Sequence, residues 1–318
     1  MLIDFHAHLF PDSLAPRAVS TLIAGAVREE GRALPPRGEA TQKGILASMK
    51  REGVSLSVVL PIVTKPSQTD HILAFAEDIN HRYADRLYEL CRVFGQMDFE
   101  TIEPSADEAE IPVVMSPELL FCREQSVNAV LLSFASVHPD DPNAEEVLQR
   151  IAEKGFRGIK LHPEFQSFDL ASPRAISLIA KAESLGLITV VHAGRDIGMP
   201  PPVHGAPEQI AHLLDYIRGD RFVAAHLGGF RMWEDVERYL VGKPLFLDTS
   251  YLGFWDGEPN AEQMRRIIKN HGTQKVLFGS DYPWKSPREI VGRLRTLALS
   301  DSELAALFWR NAYRLLFS

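Results

Sequence analysis

The sequence predicts a single (β/α)8 barrel, the TIM-barrel arrangement, carrying one loop insertion. Short, almost wholly apolar runs alternate with amphipathic helical stretches, and that alternation implies a parallel sheet covered by helices. Such runs open near residues 2, 54, 89, 127, 157, 187, 221, 244 and 275, one more than an eight-stranded barrel needs. The length of 318 residues suits one barrel, since α/β barrels of about 250 residues or more fold as one unit. A doubly wound open sheet is the competing arrangement.

The apolar run from Met1 to Phe5 is the first strand. Leu9 to Arg37 is loop-rich, with Pro11, Pro16 and the pair Pro35-Pro36, and holds one helix around Ala18 to Glu30. Thr41 to Glu52 is helical, and Val54 to Pro61 (VSLSVVLP) is a β-rich strand. Thr69 to Ala84 returns to helical spacing, with Ile72, Phe75, Ala76, Ile79 and Tyr83 on one stripe. Leu87 to Phe99 fits either period and is the surplus strand candidate. Thr101 to Pro117 is acidic, with Pro104, Pro112 and Pro117 and little periodicity. It is read as an insertion over about residues 100–118: a lid, an oligomer contact or a plain solvated loop.

From Ser126 onward the alternation is regular. Strands are expected at Val127 to Phe134, Gly158 to His162 (GIKLH), Leu187 to His192 (LITVVH), Arg221 to His226 (RFVAAH), Pro244 to Asp248 (PLFLD) and Lys275 to Phe278 (KVLF). Helices are expected at Asn143 to Lys154, Ser172 to Leu185, Pro207 to Ile217, Arg231 to Val241, Asn260 to His271, Ser286 to Leu297 and Asp301 to Leu316. Gly186, directly after Leu185, is a helix-ending signal.

Composition narrows the function classes. Hydrophobic residues make up 45% and charged residues 24%, as in an ordinary soluble globular protein. The net charge of −8 comes with no basic stripe, which argues against a nucleic-acid partner. Cys91 and Cys122 have neither metal-type nor disulfide-framework spacing and are expected to be reduced thiols. With no signal-peptide pattern and no run of roughly 18 apolar residues, a cytoplasmic protein without membrane contact is expected.

In such a barrel the catalytic groups sit at the C-terminal ends of the strands. Those ends carry His6 and His8, Lys160 and His162, His192, His226, Asp248 and, after Gly279-Ser280, Asp281. Five of the eleven histidines fall there, while His71, His81, His138, His204, His212 and His271 lie on helices or loops. His138 and His204, on top-face loops, are within reach of a ligand. His6 and His8 are two residues apart on a strand, so both imidazoles point to one face, an arrangement suited to a divalent ion.

The ordered set IDFHAHLFP, GFRGIKLHPEFQSF, VVHAG, AAHLGG and FGSDYPW resembles the amidohydrolase superfamily, specifically the branch that includes aminocarboxymuconate semialdehyde decarboxylase and its relatives. The resemblance covers nearly the whole chain, the acidic insertion least. It implies that His6, His8, His192 and Asp281 hold a divalent metal, zinc first and manganese as the alternative. It implies that His226 is a general acid/base, either off the metal or on a second one, and that Asp281 passes a proton to the leaving group. Three imidazoles and one carboxylate leave a position for water, whose pKa a divalent ion lowers toward about 7.

In binuclear members a lysine at the end of the fourth strand is carboxylated and bridges two metals. Lys160 occupies that strand, and its other readings are an anchor for a substrate carboxylate or a lysine paired with Glu164 or Asp248. His162 lines the pocket or supports it, and Arg195 either clamps an anionic substrate or pairs with Asp196. Asp248 orients a ligand histidine or simply ends its strand, and Trp255 and Trp284 wall the pocket or pack.

The expected function is hydrolysis of an amide, lactone or ester bond of a small molecule through metal-bound hydroxide. The alternative is metal-dependent, non-oxidative decarboxylation of an unsaturated or aromatic carboxylic acid. Both use the same ligands, and hydrolysis is favoured because no second cationic cluster for a carboxylated substrate stands out in the sequence. A non-catalytic binding barrel predicts missing ligands, and none is missing. A homodimer is the default assembly for a soluble enzyme.

Overall fold

The computed structural model describes residues 1–94, 129–252 and 259–317. The acidic insertion, Cys122 and Trp255 lie outside the described residues. The strands are β1 (Ile3–Ala7), β2 (Leu56–Val59), β3 (Val130–Ser133), β4 (Ala135–Ser136), β5 (Gly158–Leu161), β6 (Ile188–Val191), β7 (Phe222–Ala224), β8 (Phe246–Asp248) and β9 (Val276–Leu277). All pair in parallel, in the orders β1-β2-β3 and β4-β5-β6-β7-β8-β9. β3 and β4 are one stave interrupted at Phe134, whose amide still donates to the Val59 carbonyl at 2.9 Å.

The other seam joins β1 to the chain just past β9. The amides of Phe5, Asp281 and His8 donate to the carbonyls of Phe278, His6 and Tyr282 at 2.8, 2.8 and 2.6 Å. The first and last staves are thereby stitched together, and Asp281 is carried to the His6–His8 strand. Every residue of β1, β2, β5 and β6 is buried, as expected for strands covered by helices outside and side chains within.

The helices are α1 (Ala15–Glu30), α2 (Gln42–Glu52), α3 (Thr69–Phe94), α4 (Ala144–Glu153), α5 (Pro173–Ser184), α6 (Pro207–Leu213), α7 (Trp233–Tyr239), α8 (Ala261–His271), α9 (Pro287–Arg295), α10 (Asp301–Ala305) and α11 (Asn311–Phe317). Local chemistry sets their ends. The Thr41 hydroxyl accepts from the Gly44 amide at 3.0 Å to start α2, and Gly53 ends it at φ 75°, a left-handed value that glycine takes without strain. Ser286 and Glu289 form a reciprocal capping box at α9.

Two elements differ from expectation. The surplus strand candidate at Leu87 is helical as far as the described residues run, because Tyr83, Leu87, Leu90 and Cys91 continue the α3 stripe at i, i+4, i+7 and i+8. The single C-terminal helix expected from Asp301 is split by a π turn at Ala306–Arg310. There the Leu307 carbonyl accepts from the Phe278 amide at 2.9 Å, docking the helix against the last stave. Among the described residues, no helix is long and apolar enough to cross a membrane.

Candidate metal centre

The C-terminal rim of the barrel gathers a compact polar cluster: His6, His8, Lys160, His162, His192, His226, Asp248 and Asp281. All but His8, which is half-buried, are buried. His6 Nε2, His8 Nε2 and Asp281 Oδ1 form a triangle with edges of 3.2, 3.5 and 3.2 Å. Ligands about 2.0–2.1 Å from a tetrahedral ion lie about 3.3–3.4 Å apart, so the triangle has the size of a coordination face.

The hydrogen-bond partners of the two imidazoles set where their protons sit. His6 Nδ1 lies 2.8 Å from Asp248 Oδ2, and His8 Nδ1 lies 2.8 Å from the Leu60 carbonyl. A carboxylate and a carbonyl only accept, so each Nδ1 carries the proton and each Nε2 presents a lone pair. Two lone pairs and a carboxylate oxygen thus converge, a repulsive arrangement that a cation neutralises. The residues present fit a divalent ion.

The remaining predicted residues are placed unequally. Lys160 Nζ is 3.3 Å from His6 Nε2, inside the cluster, and among the described residues no carboxylate forms an ion pair with it. His226 Nε2 contacts His192 Nδ1 at 2.9 Å, and the His226 ring centroid lies 5.3 Å from that of His6. His192 therefore reaches the triangle by way of His226, and groups instead with His162 and Asp196, whose donor atoms lie within 4.8 Å of one another and of its own. The rings of His162 and His192 stack at 4.1 Å and 16°. Lone pairs lying in near-parallel planes do not meet at a point, so His162 suits N–H donation to Asp196 better than a shared ion, while His192 Nε2 is buried with no hydrogen-bond partner among the described residues. His162 Nε2 lies 3.5 Å from Asp196 Oδ2. Arg195 is exposed, on the loop after β6, outside the buried cluster and in no ion pair with Asp196.

Burial dominates the electrostatics. It pulls His6 down to about 3, with Lys160 adding to the effect, and holds His162 and His192 well below the usual histidine value. The same desolvation lowers Lys160 to about 8. Burial alone would raise Asp281, but His8, His6 and His226 outweigh it and keep the carboxyl below the usual range. Asp248 is held low in the same way by His6, His226 and Ser250.

Sequence reasoning missed two members. Asp4, 1% exposed, binds the Ser280 hydroxyl at 2.5 Å and the Ser280 amide at 2.8 Å, fixing the turn that delivers Asp281. Ser250 joins Asp248 to His226. Both signals lay in the two-residue strand period, since Asp4 shares a face with His6 and His8, and Ser250 follows Asp248 by two.

A family model described as amidohydrolase matches residues 3–317. No curated protein matches the chain. A 5-carboxyvanillate decarboxylase from Sphingomonas paucimobilis is 16% identical, with 99% of this chain and 98% of that one covered at a TM-score of 0.58. An uncharacterised TIM-barrel protein from Bordetella bronchiseptica is 16% identical over 99% and 98% of the two chains, at a TM-score of 0.64. A 5-carboxyvanillate decarboxylase from Novosphingobium aromaticivorans, solved with bound manganese, is 14% identical over 99% and 97%, at 0.55. Other matches include 2,6-dihydroxybenzoate decarboxylases and a probable 2-pyrone-4,6-dicarboxylic acid hydrolase. At these identities the likeness establishes the barrel fold.

Proposed function

Because the chain belongs to the amidohydrolase family, whose enzymes work with a divalent metal, we propose that it removes CO2 from a small unsaturated or aromatic carboxylic acid. The observation that carries this reading is Lys160: a wholly buried ammonium, 3.3 Å from His6 Nε2, with no ion-pair partner among the described residues. Asp248 and Asp281 act on its charge without forming an ion pair with it, and a substrate carboxylate would supply a direct partner. Lys160 lies far along the chain from the histidine pair it touches, so sequence order does not show that contact. Lys285, also fully buried, lies four residues past Asp281 and against the Tyr251 ring.

His6 Nε2, His8 Nε2 and Asp281 Oδ1 would hold the ion. When bound, it supplies Lewis-acid polarisation of the substrate. Lys160 orients the carboxylate, and burial of the cluster excludes water. As the C–C bond to the carboxylate breaks, CO2 leaves and the electron pair stays on carbon. That carbon takes a proton that His226 has first accepted from solvent on Nε2, since the surrounding histidines hold Asp281 ionised.

Hydrolysis of an amide, lactone or ester bond uses the same residues and is the second reading, supported by the likeness to a probable pyrone-dicarboxylic acid hydrolase. The test loads the protein with zinc or manganese and offers aromatic and unsaturated acids beside lactones, esters and amides. CO2 release from an acid, reduced at least about 100-fold in Lys160→Met at unchanged metal content, is the expected result. Acid release from a lactone, ester or amide, with no CO2 from any acid, would move the assignment to the hydrolase.

A further inference from the structure

Ser250 lies between two of the cluster's anchoring groups. Its hydroxyl is 2.8 Å from His226 Nδ1 and hydrogen-bonded to Asp248 Oδ1. Its amide donates to the same Oδ1 at 3.0 Å, and its carbonyl lies 3.3 Å from His226 Nδ1. The other oxygen of Asp248 is the one that holds His6 Nδ1.

We propose that Ser250 is a positioning residue that ties His226 to the carboxylate holding His6, fixing His226 with its proton on Nδ1 and its Nε2 lone pair turned into the cluster. Direction follows from what each group can give. The Asp248 carboxylate only accepts, so the Ser250 hydroxyl donates its single proton there. The hydroxyl oxygen is then left to accept, from the His226 amide at 3.2 Å and from His226 Nδ1, which must carry a proton to face it. The Ser250 carbonyl, also acceptor-only, makes the same demand on Nδ1. A neutral imidazole with its proton on Nδ1 has none on Nε2, so the 2.9 Å contact to His192 runs from His192 Nδ1–H to His226 Nε2. One carboxylate therefore sets the tautomers of two histidines, His6 directly and His226 through a serine.

This deepens the reading of His226 as a proton-handling residue, but its test is independent of turnover. Histidine ring nitrogens are 15N-labelled and their tautomers read by NMR in metal-free and zinc-loaded protein, with His226 assigned by loss of its signals in His226→Gln. The wild type shows a protonated Nδ1 at His226. In Ser250→Ala that proton exchanges with solvent roughly tenfold faster, the factor one hydrogen bond carries, while the His6 signal and the metal content hold. Ser250→Thr, which keeps the hydroxyl, restores the slow exchange. A protonated Nε2 at wild-type His226, or wild-type exchange in Ser250→Ala, overturns the assignment. Metal content is read in the same samples, so failure of the metal reading and failure of this one are seen separately.

Discussion

Asp248→Asn tests the cluster at its most connected point. The carboxylate is fully buried and accepts from four donors: His6 Nδ1 at 2.8 Å on one oxygen, and the His226 amide at 3.0 Å, the Ser250 amide at 3.0 Å and the Ser250 hydroxyl on the other. An amide replaces one acceptor oxygen with a donor NH2. If the amide oxygen stays with His226 and Ser250, the NH2 faces His6 Nδ1–H, donor against donor. One charge-assisted bond is lost and a buried donor is left unmade, a cost of about 2–4 kcal/mol.

The chain has one way to recover that energy. His6 can move its proton from Nδ1 to Nε2 and accept from the amide instead. That puts a proton where a metal ligand's lone pair belongs, so stability is regained at the expense of the ion. Either way zinc affinity, measured by competition with a chelator, falls about 10–100-fold or more. Urea unfolding of the metal-free protein measures the stability side. Zinc affinity within threefold of wild type would refute both the ligand assignment of His6 and the tautomer reasoning.

Metal content at about one ion per chain in the wild type should be lost in both His6→Ala and Asp281→Asn, and retention of the ion in either would remove that residue from the coordination face. Metal-free protein should gain stability from pH 5 to pH 7. Folded His6 titrates at about 3 and an unfolded histidine near 6.5, so the unfolded chain binds the extra proton between them. As pH falls from 6.5 to 5, His6 alone therefore costs about 2 kcal/mol, and His162, His192 and His226 act with the same sign. Asp4 and Glu164, raised to about 7 by burial, oppose this because there the folded chain holds the extra proton, but with His138 and His271 also lowered, six histidines outweigh two acids. Urea midpoints that stay flat or fall from pH 5 to 7 would contradict the balance. Gly194→Ala should destabilise by about 3 kcal/mol in the same assay, since Gly194 sits at φ 85° and an added Cβ would lie 2.2 Å from the Phe230 amide nitrogen. A wild-type midpoint in that variant would mean the bridge between the loops after β6 and β7 yields freely.

The barrel was legible because its staves are short and apolar and its helices carry stripes, a pattern that the local period alone produces. The rim histidines were legible for the same reason, as polar residues ending apolar runs. Asp248 was read as a partner of a ligand histidine or a strand end; it ends β8 and pairs with His6. What stayed hidden depends on distance in sequence. That Lys160 meets His6, and that His192 meets His226 before it meets the triangle, follows from barrel closure, which no local pattern encodes. Arg195 shows the converse, being adjacent to the site in sequence yet exposed on its loop. Leu87 misled because a short apolar run fits both periods, and only continuity with the α3 stripe decides between them.

The closure of the barrel and the assembly of the metal face are one event. The bond from the Asp281 amide to the His6 carbonyl stitches the last stave to the first, and the two residues it joins also supply two corners of the donor triangle. Asp4 reinforces the same stitch from below, holding Ser280 through its hydroxyl and amide while accepting from the His6 amide at 3.2 Å. Closing the barrel thus brings a carboxylate and two imidazole lone pairs together, with the Lys160 ammonium 3.3 Å from one of them. An ion held by these donors would bind only the closed form and so hold the seam shut, stabilising it by about 2.7 kcal/mol at 100 times its dissociation constant.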